Sequence, residues 1–302
     1  MKYLIIILLF LSSCHSDIPE ASLKIIDSYK IPLREISGMC WYKNKTQIAM
    51  IGDDSNEILL IDWPIQKEKL SLKRINIKGL SFDRGFESIA SDDSGRLFLL
   101  HEDRSQVFIT DRKLEKIEFS IELKISKQMN KELRWDEKKN SGPEGITLLR
   151  NGNILIAKEK KPQRLVEFSR GQSSAFGYET KLSLENGGVF PVENLDSENT
   201  YYSVSAWKKD KGFKNLFKDV SGININKDNR LFLLSDKNHM IVDIGNSLKV
   251  NNSKVQIKKV YKFPSDLKKA EGMVIDNNNN VIIGVDTKSS TIDNLFVLSP
   301  LI

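Results

Sequence analysis

Glu87, Glu144 and Glu271 each precede a small residue, Ser88, Gly145 or Gly272, and each is followed at one constant separation by a second acid: Glu102, Glu159 and Asp286. Ser221-Gly222 stands in the same relation to Asp236, and Ser37-Gly38 precedes Asp53 by one residue more. In both serine copies an acid lies two residues upstream, as Glu35 and Asp219, so the negative charge is retained. Carboxylates drawn together repel, and such a group either keeps protons or binds a cation. A hard divalent ion is the economical partner, because Ca²⁺ takes about six to eight oxygen ligands in flexible geometry. Zn²⁺ is disfavoured, since the histidines are only His15, His101 and His239 and the thiols only Cys14 and Cys40. The expected Ca²⁺ ligands are therefore Glu87, Glu144, Glu271, Glu35 and Asp219. Asp53, Glu102, Glu159, Asp236 and Asp286 are secondary candidates, because an acid after a strand is often a turn former. The alternative is an ion-free clasp in which each motif acid accepts hydrogen bonds from backbone amides of the next repeat. His101, beside Glu102, is either a base or a solvated loop histidine.

The elements that must position these acids follow from the repeat. Each copy has the motif, an apolar strand, a polar turn and a second apolar strand that ends in the second acid. The turns, such as Asp92-Asp93-Ser94-Gly95, Asn151-Gly152 and Lys227-Asp228-Asn229, are hairpin chemistry. The strands Leu97-Phe98-Leu99-Leu100 and Leu231-Phe232-Leu233-Leu234 are continuous apolar runs, as expected when both faces are buried. Successive motifs lie close to the ~40–50 residues of a propeller blade, except for a longer gap between Glu144 and Ser221. The reading is an all-β, five-bladed β-propeller with an insertion at about residues 171–217, a long loop or extra hairpin near a channel mouth; a six-bladed ring is the alternative. The last repeat has room for three strands, so a strand from residues 22–31 is expected to close the ring and cover its edges. In this fold both acids of every repeat face one end of the channel.

The N-terminus reads as targeting. Met1-Lys2, an apolar run and Leu11-Ser12-Ser13-Cys14 form an export signal ending in a lipid-attachment cysteine, with an ordinary secretory signal as the alternative. The run is shorter than the ~20 apolar residues of a spanning helix. Residues 1–13 are thus expected to be removed, Cys14 to carry the lipid, 14–21 to form a tether and 22–302 to fold as one domain. Cys40 is expected as a small buried hydrophobe. The net charge of +6 is scattered over loop lysines and is read as solvated surface rather than a nucleic-acid footprint.

Glu35-Ile-Ser-Gly, Pro143-Glu-Gly-Ile, Asp219-Val-Ser-Gly-Ile and Ala270-Glu-Gly-Met, in that order, resemble the SdiA-regulated family of bacterial proteins over nearly the whole mature chain. The resemblance implies an exported five-bladed propeller, distantly similar to NHL-repeat proteins, with bound calcium and no settled activity. Glu87-Ser88 departs from the Glu-Gly pattern. The expected function is that of a monomeric cell-envelope binding or sensing module, lipid-anchored in the outer membrane and facing the periplasm or the exterior. Its partner would be a protein, glycan or small molecule, and no nucleic acid. The alternative is a calcium-dependent hydrolase resembling phytases or lactonases; no Gly-x-Ser-x-Gly or His-Glu-x-x-His pattern accompanies it.

Overall fold

A strand buried on both faces needs cover on both sides, and here each hairpin obtains it from the next. A computed structural model describes residues 18–302 apart from 55, 67–69, 80–83, 136–141, 160–161, 171–177, 180–182, 194, 197, 210–217, 249–253 and 290. Cys14 and the signal segment lie outside the described residues. The chain is all-β, propeller-like and arranged in successive antiparallel units. The first unit holds Ile36–Tyr42, Gln47–Gly52, Glu57–Asp62 and Leu72–Asn76, and the second Phe86–Ser91, Leu97–His101, Gln106–Thr110 and Ile117–Lys124. The third holds Pro143–Leu148, Ile154–Lys158, Arg164–Arg170 and Glu198–Lys209. The fourth holds Gly222–Ile225, Leu231–Ser235, Met240–Gly245 and Lys259–Lys262, and the last Ala270–Ile275, Val281–Val285, Leu295–Leu298 and Ile25–Tyr29.

The leading strands of the units touch in sequence, and the last returns to the first. Five hydrophobic clusters fill the seams. The closing one packs Val274, Ile282 and Leu295 against Ile36, Met39 and Trp41. Closure by Ile25–Tyr29 on Leu295–Leu298 is as expected from residues 22–31. The chain docks earlier than the expected tether boundary, however. Glu20–Ser22 runs parallel to Lys259–Lys262, the Val260 amide donates to the Pro19 carbonyl (2.9 Å), and Ile18 packs on the neighbouring core. The reason is edge coverage, since Lys259–Lys262 would otherwise end its sheet with unpaired backbone.

The repeated small residue has a steric cause. A Cβ on Gly38 would lie 2.7 Å from Ser88 Cα, and one on Gly222 would lie 2.9 Å from the Glu271 carbonyl oxygen. Leading strands of adjacent units therefore approach backbone to backbone, which only a hydrogen side chain permits. Gly38→Ala is expected to cost about 1–3 kcal/mol of stability, read as a lower urea midpoint with unchanged slope.

The inserted region does more than loop. Glu198–Lys209 pairs with Arg164–Arg170 on one side and, in parallel, with Ile117–Lys124 on the other, joining the second and third units. Before it, residues 183–192 cross the hairpin turns at the end of the ring opposite the acids. The Gly188 amide donates to Asp93 Oδ2 (2.6 Å), the Phe190 amide to Asp92 Oδ2 (3.0 Å), and Asn186 Nδ2 to the Asn226 carbonyl (3.0 Å). Phe190 anchors this strap in the core, edge-on to Phe98 at 5.1 Å.

Candidate metal centre

The motif acids owe their direction to β-bulges. In the first, second, third and last units the pairing register slips at the second residue of the leading strand, which is Ser37, Glu87, Glu144 or Glu271. A bulged residue leaves the ladder and its side chain is re-aimed. Glu87, Glu144 and Glu271 thereby escape the in-and-out alternation of their strands, and their carboxyls meet in one field. Burial pushes the Glu87 carboxyl well above the usual carboxylate range, and Asp53, Glu102, Glu271 and Glu159 push it further. Glu144 is raised in the same way, by burial and then by Glu87, Glu159, Glu102 and Glu271. Glu271 is raised to about 8 by burial and Asp286, against the pull of Lys269. None of the three carboxyls accepts a hydrogen bond among the described residues.

The other expected site residues have structural partners. Asp53 Oδ1 accepts from the Gly85 amide (2.8 Å), Glu102 Oε1 from the Gly142 amide (2.7 Å) and Asp236 Oδ1 from the Ala270 amide (3.1 Å). The inter-unit clasp thus exists, but the second-strand acids form it. In the serine units the hydroxyls serve the same seam: Ser37 Oγ donates to the Phe86 carbonyl (2.5 Å) and Ser221 Oγ to the Ala270 carbonyl (2.7 Å). Asp219 is buried, with Ser235 Oγ donating to Oδ1 and the Lys237 amide to Oδ2 (3.2 Å). Glu35, at a left-handed φ of 47°, holds Lys288 at 3.6 Å, Glu159 holds Lys237 at 3.7 Å, and Asp286 pairs with Lys269. The lysines of these pairs are solvated, so the pairs contribute little energy.

One residue corrects the sequence reading, and a second was missed by it. His101 is not a solvated loop residue: it is buried at the end of its strand, edge-on to Phe86 at 5.1 Å, and burial lowers its basicity. Lys158, fully buried, closes the strand beside Pro143-Glu144, and burial brings its ammonium down to about 8 while Glu159, Glu102 and Glu144 hold it up. Its only sequence signal was a lysine ending an apolar strand next to an acid. Cys40 is buried as expected, and burial raises its thiol.

The donors at the mouth are hard oxygen groups, which suits calcium chemistry. Among the described residues no three His, Cys, Asp or Glu side chains form a ready-made chelate. An ion there would draw on water and backbone carbonyls besides carboxylate, as calcium commonly does.

At the opposite mouth, burial of Glu185 on the strap raises its carboxyl from near 4.5 to about 7, with Lys45 opposing. A folded-state value above the unfolded one means that the native protein retains a proton the unfolded chain releases. Stability is then full below about pH 4.5 and is lost as pH rises to about 7, by up to about 1.4 kcal/mol per pH unit. Glu185→Gln is expected to match the parent at pH 4.5 and to melt higher than it at pH 8, by differential scanning calorimetry.

No curated protein matches the chain. Among solved structures, glutaminyl cyclase of Myxococcus xanthus superposes with a TM-score of 0.51 at 11% identity, covering 94% of this chain and 98% of that one. A luciferin-regenerating enzyme follows at 0.46 and 10%, covering 92% and 95%. Virginiamycin B lyase of Staphylococcus aureus gives 0.40 and 12%, covering 91% and 73%. At such identity the first of these speaks for the fold alone. A family model described as SdiA-regulated matches residues 24–286.

Proposed function

The chain belongs to the SdiA-regulated family, and from that premise we propose that it is a five-bladed propeller that binds Ca²⁺ at its acidic mouth and serves as a binding module, anchored to the bacterial envelope by lipid on Cys14. The observation that carries this reading is the trio Glu87, Glu144 and Glu271. Three carboxyls from three units are bulged into one mouth, half-buried, mutually repelling and, among the described residues, unserved by hydrogen bonds. A divalent cation relieves that repulsion and the desolvation of each charged carboxylate together. Glu35 contributes charge at the rim, Asp53, Glu102 and Asp236 clasp successive units, and Asp219 braces the fourth unit from within. When bound, the ion supplies a positive centre to which an anionic or hydroxylated partner can be drawn. The module works as a monomer with a protein, glycan or small-molecule partner.

Isothermal titration of the chelator-treated protein with CaCl₂ tests the reading. A saturable heat with one ion per chain supports it. Absence of binding, together with a melting temperature indifferent to chelator, sinks it.

A further inference from the structure

A groove at the other end of the ring has the make-up of a sugar-binding site. Two cavities of about 310 and 460 Å³ follow the seam between the last and first units, and a third of about 400 Å³ continues from them across the turns of the first and second units to the strap. The outer pair share Asp27, Tyr29 and Ile65, and the inner pair share Trp41, Lys45 and Asn277, so they form one path from the rim of the seam to the strap. Each is of a size that holds a small ligand. One wall is aromatic. Tyr29 and Trp63 are half-buried, Trp63 meets Trp41 edge-on at 6.0 Å, and Trp41 is pinned by its Nε1 donating to the Ile275 carbonyl (2.8 Å). The facing wall is the turn Asp276–Asn280. There Asp276 is consumed by the turn, accepting from the Asn278 and Asn280 amides at 2.8 Å each. The side-chain amides of Asn277 and Asn278 are exposed and make no hydrogen bond among the described residues.

We propose that this groove binds a linear oligosaccharide of neutral sugars. A sugar ring presents an apolar C–H face and a belt of hydroxyls. Rigid aromatic rings cover the first at low entropic cost, and planar amides serve the second as donor and acceptor at once. The lining mixes both signs, with Asp27, Asp92, Asp93 and Glu185 set against Lys30, Lys43, Lys45 and Lys227. That balance disfavours a polyanion. A peptide strand is less suited: it would add to the free edge of Ile25–Tyr29, where the Ser28 amide is already taken by Asp27 Oδ1 (2.9 Å) and the pairing slips between Ile25 and Asp27. The site is independent of calcium at the acidic mouth.

Tryptophan emission of the full chain is the readout, with cellotetraose, maltotetraose and tetra-N-acetylchitotetraose as probes. At least one is expected to change the emission saturably. Asn277→Ala is expected to weaken that binding several-fold and Trp63→Ala about tenfold or more, equivalent to about 1.4 kcal/mol. Trp63→Phe, which keeps a ring, is expected to stay near the parent and guards against misfolding of the alanine variant. Glu144→Gln should bind sugar as the parent does, even if calcium binding is lost. Failure of all three saccharides overturns the proposal, as does binding undiminished in both Asn277→Ala and Trp63→Ala. Saturation of the same emission change by a mixed-sequence decapeptide pool, with no response to sugar, reassigns the groove to peptides and equally overturns it.

Discussion

Glu144→Gln is expected to abolish the stabilisation of this protein by calcium while leaving the chelated protein almost unchanged. Burial and the neighbouring acids push the Glu144 carboxyl well above the usual carboxylate range, which favours its neutral form when no cation is bound. Glutamine reproduces that species in shape and charge, and the two proteins should melt within a degree or two of each other in EDTA. Calcium acts on the wild type by mass action. At a free concentration a hundred-fold above Kd it adds about 2.7 kcal/mol, which for a chain of this size raises Tm by roughly 4–5 °C. The variant should gain almost nothing. Because a carboxylate must release its proton to take the ion, wild-type affinity should also rise with pH. Paired thermal melts in EDTA and in CaCl₂ decide the matter: a full calcium shift in Glu144→Gln removes Glu144 from the site.

Asp219→Ala is expected to do the reverse, lowering stability by about 2–3 kcal/mol with calcium affinity within about twofold of the parent. The Asp219 side chain is buried and both oxygens are engaged, by Ser235 Oγ and by the Lys237 amide. Truncation strands two donors in the fourth unit without emptying the acidic mouth. Urea unfolding measures the loss and calorimetric titration the affinity. A collapse of calcium binding in a folded Asp219→Ala protein would instead return Asp219 to the ligand set.

These two variants divide acids that look equivalent along the chain. Spacing identified the repeat and brought the motif acids and the second-strand acids to one end, because strand and turn lengths are one-dimensional properties. It could not assign their roles, which depend on neighbours in other units. Glu102 clasps because the Gly142 amide stands 2.7 Å away, and the Glu144 carboxyl, which a bulge turns out of the ladder, accepts no hydrogen bond among the described residues. A glycine after an acid hints at a bulge but equally marks a close approach, and here it does the latter for Gly145 against Ile223 as well.

The amino-acid sequence by itself determined that the chain is all-β, built from repeated apolar hairpins, closed by its own N-terminal strand and rich in acids at one mouth. Each of these is written in the local pattern, as apolar runs, turn residues and a recurring offset. Only the tertiary structure decided which acids accept no hydrogen bond among the described residues, that Lys158 is buried beside Glu144, that the strap at 183–192 crosses the far end, and that Trp63 and Asn277 face one groove. Those are contacts between residues from separate units, and their burial and electrostatics come into being only when the ring closes.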